Sequence, residues 1–229
     1  QEQGHGLVAD LLSMLLAAQD TDGDRMTDQQ VRDEAMTLFL AGHETTAIAL
    51  SWTAYLLANS PDVDAQLALE LRTVLDGRAP TIDDLPRLTY TANVISESMR
   101  LYPPAWVVGR MAVEPCTIGG QTIEPGTMLW ASQWVVQRDG RWYEDPGAFR
   151  PERWTPEFQR QLPKFAYFPF GGGQRICIGN NFALMEASLI LATVAQRYRL
   201  ELEPKQRIEA MPSITLRPKY GVQVIARAR

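Results

Sequence analysis

The sequence predicts a mainly α fold with small β-sheets. Three observations carry that expectation. The first half reads as a succession of long helical stretches. The strand signals are short and sit in the middle and the tail. The two never alternate as strand-helix-strand units, so a doubly wound parallel sheet is excluded.

Taken in order, residues 7–19 form an apolar amphipathic run, followed by the acidic turn Asp20-Thr-Asp-Gly-Asp24. That turn is no EF-hand loop, because the position that should hold the bidentate Glu is Val31. Thr27-Asp-Gln-Gln30 is a capping-box pattern that opens a helix expected to run to Asn59, long for a globular domain. Ser60 is expected to cap the next helix, with Pro61 at its first position and Gly77 ending it. A third helix is expected over residues 88–101, stopped by Pro103-Pro104.

Residues 116–118 and 121–123 flank Gly119-Gly120 and predict a hairpin. Residues 128–132 predict a further strand, and residues 138–169 an irregular stretch rich in Pro, Trp and Arg. Helix returns over residues 180–198, and the tail alternates like strand over 213–217 and 221–228.

Composition narrows the function classes. The 229 residues are 45% hydrophobic and 21% charged, enough to bury a core. A net charge of -5 argues against a partner bound through nucleic-acid phosphates. The two cysteines, Cys116 and Cys177, cannot build a disulfide framework and fit a reducing, cytoplasmic setting. The most apolar long stretch, residues 36–58, is broken by His43, Glu44 and threonines, which makes it a poor membrane span. The chain opens on Gln1 rather than Met, so an anchor or leader upstream stays open.

Three motifs carry chemistry. The first is Phe168-Pro-Phe-Gly-Gly-Gly-Gln-Arg-Ile-Cys-Ile-Gly179, directly before a helix. Its glycines allow positive φ and close approach to a flat ligand. Cys177 sits just ahead of a helix N-terminus, where amide dipoles favour a thiolate, and Arg175 adds a cation two residues away. A P-loop is excluded, because Asn180-Asn181 follow Gly179 where Lys-Ser/Thr is required. A lone cysteine is ordinarily an inert thiol; the surrounding pattern argues for a ligand here.

The second is Ala41-Gly-His-Glu-Thr-Thr46, within the long helix. A Thr45 hydroxyl bonded to the carbonyl of Ala41 would bend or widen the helix and open a groove holding one acid and one alcohol. A small-residue helix contact would explain the same residues. The third is Glu97-Ser-Met-Arg100, whose spacing puts both charges on one helix face. Apolar flanks point to burial, and Arg153 of Pro151-Glu-Arg-Trp154 is available as a further partner.

At this point the chain resembles the cytochrome P-450 family of haem-thiolate monooxygenases. The resemblance rests on Ala41-Gly-x-Glu-Thr-Thr46, Glu97-x-x-Arg100, Pro151-Glu-Arg-Trp154 and Phe170-x-x-Gly-x-Arg-x-Cys-x-Gly179, in the family's order. It covers essentially the whole chain but only the second half of the family fold. It therefore implies that residues 1–229 are one partial domain whose N-terminal part is missing.

The resemblance implies the following roles. Cys177 is the axial thiolate ligand of a haem b iron. Arg175 and Arg110 hold the haem propionates. Glu44 and Thr45 relay protons on the oxygen side, where Ala41 and Gly42 flank the haem. Glu97, Arg100 and Arg153 form a structural triad. Phe170 packs near the thiolate, and Gly173 and Gly179 shape its loop. One departure stands out: many members carry His where this chain has Gln137, and a neutral amide cannot be a cationic propionate partner.

The implied reaction inserts one oxygen atom of O2 into an apolar small-molecule substrate, with electrons from a ferredoxin or flavoprotein reductase. Trp106, Val107, Val108, Ser213 and Ile214 are candidates to line the substrate cavity, although core packing would explain them equally well. Arg160 and Lys164 are candidates to dock the donor, with a solvated face as the plainer explanation. A peroxide-using peroxygenase is the rival enzyme, and a fragment that holds no haem is the rival of another class.

Overall fold

In the computed structural model of the chain, residues 10–18 and 22–229 are described. They fall in two units, residues 1–44 and 45–229, with the boundary inside the long helix. Expectations for residues 7–9 and 19–21, including part of the acidic turn, lie outside the described residues.

In the first unit, helix α1 (Leu11–Ala17) is capped by Asp10, whose carboxylate accepts from the Ser13 amide at 2.7 Å. Helix α2 (Asp28–Ala58) begins here and continues into the second unit. Its capping box forms as expected: the Gln30 amide donates to Thr27 Oγ1 at 3.3 Å, and the Thr27 amide donates to Gln30 Oε1 at 2.8 Å. The helix is α throughout its 31 residues, with no break at Gly42 or Thr45. Polar residues are accommodated by back-bonding, since the hydroxyls of Thr37, Ser51 and Thr53 each donate to the carbonyl four residues before, at 2.8 Å.

The second unit packs α3 (Pro61–Leu75), α4 (Thr89–Leu101) and α7 (Asn180–Ala195) around one core. Leu67, Leu71 and Leu75 of α3, Val94 and Ile95 of α4, and Leu191 and Ala192 of α7 are its buried centre. Leu67, Leu71 and Leu75, Ile95 and Met99, and Ala187, Leu191 and Ala195 each recur at the helical spacing of four, so each helix turns one apolar face inward. Ser60 occupies the position before α3, but its side chain makes no capping bond; its carbonyl accepts from the Asp64 amide at 3.0 Å instead. The stop at Gly77 comes as a pair, with Asp76 (φ 48°) and Gly77 (φ 81°) both left-handed.

Among the described residues, eight strands form four two-stranded antiparallel ladders. The expected hairpin is β2 (Cys116–Ile118) with β3 (Gln121–Ile123), turned by Gly119 and Gly120 at φ 58° and 81°. The expected strand at 128 is β4 (Met128–Ala131), and its partner is β1 (Val108–Met111), which the Pro-Pro signal upstream concealed. In the tail, β5 (Tyr198–Leu202) pairs with β8 (Val224–Ala228), and β6 (Ala210–Pro212) with β7 (Leu216–Pro218). Residues 213–215, expected as strand, are the turn between β6 and β7. The stretch expected to be irregular carries a 3-10 turn, Pro151–Arg153, and α6 (Pro156–Gln161). A short helix, α5 (Gln133–Val136), precedes it. Among the described residues, no helix is long and apolar enough to cross a membrane.

The two segments expected near a substrate meet. The Trp106 indole donates to the Ser213 carbonyl at 2.9 Å, and the Leu216 amide donates to the Pro104 carbonyl at 2.9 Å. Trp52 of α2 anchors the same tail hairpin through its indole, which donates to the Leu216 carbonyl at 2.8 Å.

Candidate functional site

The site is built outward from α4. Glu97 and Arg100, one helix turn apart, are both fully buried. Arg100 grips the Glu97 carboxylate with two bonds, Nε to Oε2 at 2.8 Å and Nη2 to Oε1 at 2.9 Å. Arg153 adds Nε to Oε1 at 2.9 Å, and the Arg150 amide adds a bond to Oε1 at 3.0 Å. Trp154 donates its indole to Oε2 at 2.9 Å. The remaining Arg100 donors reach the carbonyls of Gln137 (2.8 Å), Pro146 (2.7 Å) and Ala148 (3.0 Å). Every charge in this dry cluster has partners, which is the condition under which a buried ion pair holds.

The cluster backs the segment that leads to the cysteine. The Tyr143 hydroxyl donates to the Ala166 carbonyl at 3.0 Å, and the Tyr167 hydroxyl donates to the Ser96 carbonyl of α4 at 3.1 Å. Burial pushes both phenols well above the usual tyrosine range, so both stay neutral donors. The Phe168 amide donates to Gln137 Oε1 at 3.0 Å.

From there the loop is closed by its own backbone. The Gly171 amide bonds the Phe168 carbonyl at 2.9 Å, and the Cys177 amide bonds the Phe170 carbonyl at 3.0 Å. Gly171 (φ 73°) and Gly173 (φ 72°) take left-handed conformations that side chains disfavour. Gly172 serves a different purpose, since a Cβ there would lie 2.3 Å from the Phe165 ring. Of the three glycines expected to admit a flat ligand, one therefore admits an aromatic neighbour instead. Around Gly173, apart from its two chain neighbours, no atom among the described residues lies within 4 Å of a Cβ position.

The Cys177 thiol is free and exposed. Its Sγ lies 3.9 Å from where a Cβ on Gly179 would stand, and Gly179 is the cap of the 16-residue α7. The sulfur thus sits beside a helix N-terminus, where the peptide dipoles favour negative charge. Its chain neighbours Ile176 and Ile178, and Phe182 in the first turn of α7, are exposed. Phe170 packs against the core, and Arg175 ends the 3-10 turn Gly173–Arg175 with its side chain exposed. These residues share one loop. Arg110 stands on β1, exposed, with Nη1 donating to the Gly109 carbonyl at 2.7 Å. Thr45 is half-buried in α2, while Ala41, Gly42 and Glu44 belong to the first unit. His43 stacks on Phe39 with ring centroids 5.9 Å apart.

The donor set decides what such a thiol suits. Among the described residues, no three His, Cys, Asp or Glu side chains come together to hold a metal. One exposed sulfur cannot build a zinc site, which needs three or four protein ligands. It does fit an iron already held by a macrocycle, which needs a single axial donor, and the exposed apolar flank suits a flat porphyrin face. The residues present therefore fit a haem.

Beside the loop lies a cavity of about 540 Å³, bounded by Trp154, Lys164, Phe165, Tyr167, Phe168 and Gly172. The Lys164 ammonium stands 5.2 Å from the centre of the Phe165 ring, while Arg160 is paired with Glu157 at 2.7 Å.

Two participants escaped the sequence reading. Gln137 reads as a lost cation, yet it is fully buried and bonded on every side. Trp154 stands beside Arg153 in the same motif, where the charged neighbour is the more evident partner for Glu97. A buried indole N–H needs an acceptor, and that requirement pointed to Glu97.

Comparison with known proteins agrees with this geometry. Residues 5–225 match the family model described as Cytochrome P450. Cyclooctatin synthase from Streptomyces melanosporofaciens is 44% identical over 208 residues, covering 90% of this chain and 45% of its own length. Pentalenene oxygenase from Streptomyces avermitilis is 40% identical over 207 residues, covering 90% and 46%. A crystal structure of a cytochrome P450 superimposes with a TM-score of 0.88 at 32% identity, covering 96% of this chain and 50% of that one. The chain thus spans about half the length of the relatives it matches.

Proposed function

The chain belongs to the cytochrome P450 family, and on that premise we propose that the protein is a haem-thiolate monooxygenase acting on an apolar organic substrate. The observation that carries this reading is the exposed Cys177 sulfur, held beside the N-terminus of α7 by a loop that the buried Glu97 cluster supports. The relatives named pentalenene oxygenase and cyclooctat-9-en-7-ol 5-monooxygenase support an apolar, largely hydrocarbon substrate. Two free thiols suit a cytoplasmic setting.

Bound haem would supply oxygen activation, drawing electrons singly from a ferredoxin or flavoprotein reductase. The chain's residues do the rest. Cys177 would hold the haem iron through its sulfur. Arg175 and Arg110 offer guanidinium forks that match the haem carboxylates. Phe170 packs against the core, and Gly173 and Gly179 would shape the loop that presents the sulfur to a haem. Ala41 and Gly42, being small, would leave a haem room. The Glu44 carboxylate and Thr45 hydroxyl hand protons to the oxygen side. Lys164 and the cavity beside the loop would offer the electron donor one cation and a contact surface.

The test is a reduced carbon-monoxide difference spectrum of the chain with haem, beside Cys177→Ser. The wild type gives the red-shifted thiolate band, and the serine variant loses it because a hydroxyl is a poor anionic ligand. A band that survives in Cys177→Ser overturns the ligand assignment. Product formation with hydrogen peroxide at a rate matching that with an electron-transfer partner would instead favour a peroxygenase.

A further inference from the structure

We propose that Gln137 is a positioning residue for Cys177: its side-chain amide ties the end of α4 to the first residue of the cysteine loop. The proposal rests on the haem-thiolate reading for its consequence, though not for its geometry.

Gln137 is fully buried and spends all its polar groups on two targets. Nε2 donates to the carbonyls of Met99 (3.0 Å) and Arg100 (3.2 Å). Both belong to the last turn of α4, where helix carbonyls have no intrahelical partner. Oε1 accepts the Phe168 amide at 3.0 Å. The Gln137 main chain is fixed as well, since its carbonyl accepts from Arg100 Nη1 at 2.8 Å. Gln137 is thus where the ion-pair cluster reaches the loop. Phe168 passes the constraint on, because its carbonyl holds the Gly171 amide, and the Phe170 carbonyl then holds the Cys177 amide. Gln133, one turn earlier and equally buried, has no bonding partner for its amide among the described residues. Burial of a glutamine in this short helix therefore does not by itself create the link.

A donor and an acceptor on one rigid group are what the position requires. Gln137→Met keeps the volume and removes both. Gln137→His keeps one of each at comparable separation, as a neutral imidazole. Hydrogen exchange of the chain is the first readout and needs no haem. In Gln137→Met, the Phe168 and Cys177 amides are expected to exchange at least about tenfold faster. The Arg150 amide, bonded to Glu97, is expected to keep its wild-type rate. Gln137→His is expected to restore both loop amides. The second readout is the haem-loaded chain: the methionine variant shows a smaller thiolate-band fraction, which the histidine variant recovers.

Unchanged loop exchange in Gln137→Met overturns the proposal. So does an equal acceleration at Arg150, which would make Gln137 a matter of overall stability alone. If Gln137→Met does not fold, Gln137→His decides: wild-type protection at Phe168 and Cys177 supports the link, and its loss at both overturns it. A wild-type chain that binds haem without the thiolate band would sink the monooxygenase reading and leave the exchange result standing.

Discussion

Trp154 donates its indole N–H to the Glu97 carboxylate at 2.9 Å, so the Pro-Glu-Arg-Trp segment contributes two donors to that acid rather than one. The ring is also packed on Tyr167, centroids 4.5 Å apart, and edge-on to Phe158 at 5.8 Å. Trp154→Phe keeps most of that packing and removes the bond. It is expected to cost roughly 1.5–3 kcal/mol, the range for a hydrogen bond to a charged group. Glu97→Ala, which leaves two guanidiniums without their carboxylate in a dry site, is expected to cost roughly 3–5 kcal/mol. Denaturant midpoints measure both. A phenylalanine variant within a few tenths of a kcal/mol of wild type would show that the indole bond contributes nothing.

Gly172 should tolerate alanine only when Phe165 is absent. Its φ of -173° is extended backbone open to any residue, so the obstacle is the Phe165 ring alone. That ring is half exposed and can be pushed outward, which places Gly172→Ala near the low end of overpacking costs, about 1 kcal/mol. In a Phe165→Ala background the same change is expected to cost nothing measurable. A double-mutant cycle reads the coupling, and additive effects would contradict it.

The helices around the core were legible because their signals are local. Thr27 and Gln30 announce the start of α2, Pro61 the start of α3, and the left-handed glycine pair at 119 and 120 the β2–β3 turn. What stayed hidden depends on partners distant in sequence. Residues 108–111 become a strand because Met128–Ala131 lies alongside. Ser60 failed as a side-chain cap because its backbone, φ -132° and ψ 74°, lies off the extended geometry from which a cap side chain reaches back to the helix amides. In the site, the Glu97, Arg100 and Arg153 cluster was readable from spacing and apolar flanks. Gln137 was not, because a neutral amide gives no sign in sequence of what it will bond.

Acid should weaken the connection between α3 and α4 through Asp84. This residue is 2% exposed and accepts from Arg78 at 2.5 and 2.6 Å, from Arg87 at 2.6 Å and from the Thr81 amide at 2.9 Å. The Arg78 hydrogen bonds, then the Thr81 amide, hold its carboxyl far below the usual carboxylate range. A depressed folded-state pKa gives stability that is fully present above the unfolded value, about 3.9, and is lost as pH falls below it. Thermal midpoints of wild type and Asp84→Asn should therefore differ at neutral pH and converge as pH drops below about 4. A gap that stays constant to lower pH would show that the charge of Asp84 is not what those donors hold.

Thr45 offers a sharper test of the reaction than of the fold. It is half-buried within an α2 that runs unbroken through this turn, so truncating its side chain to the Cβ methyl of alanine should leave the helix intact. Threonine is also a poorer helix former than alanine, which rules out loss of helix as a trivial cause. If the hydroxyl hands protons to the oxygen side, Thr45→Ala is expected to bind haem and keep the thiolate band, while product per electron consumed falls at least about tenfold and peroxide rises. Thr45→Ser, which keeps the hydroxyl, is expected to stay close to wild type. Electron consumption, product and peroxide measured together read the outcome. Wild-type coupling in Thr45→Ala would remove this residue from the proton path, and a failure shared equally by Thr45→Ser would assign the loss to the missing methyl and not to the hydroxyl.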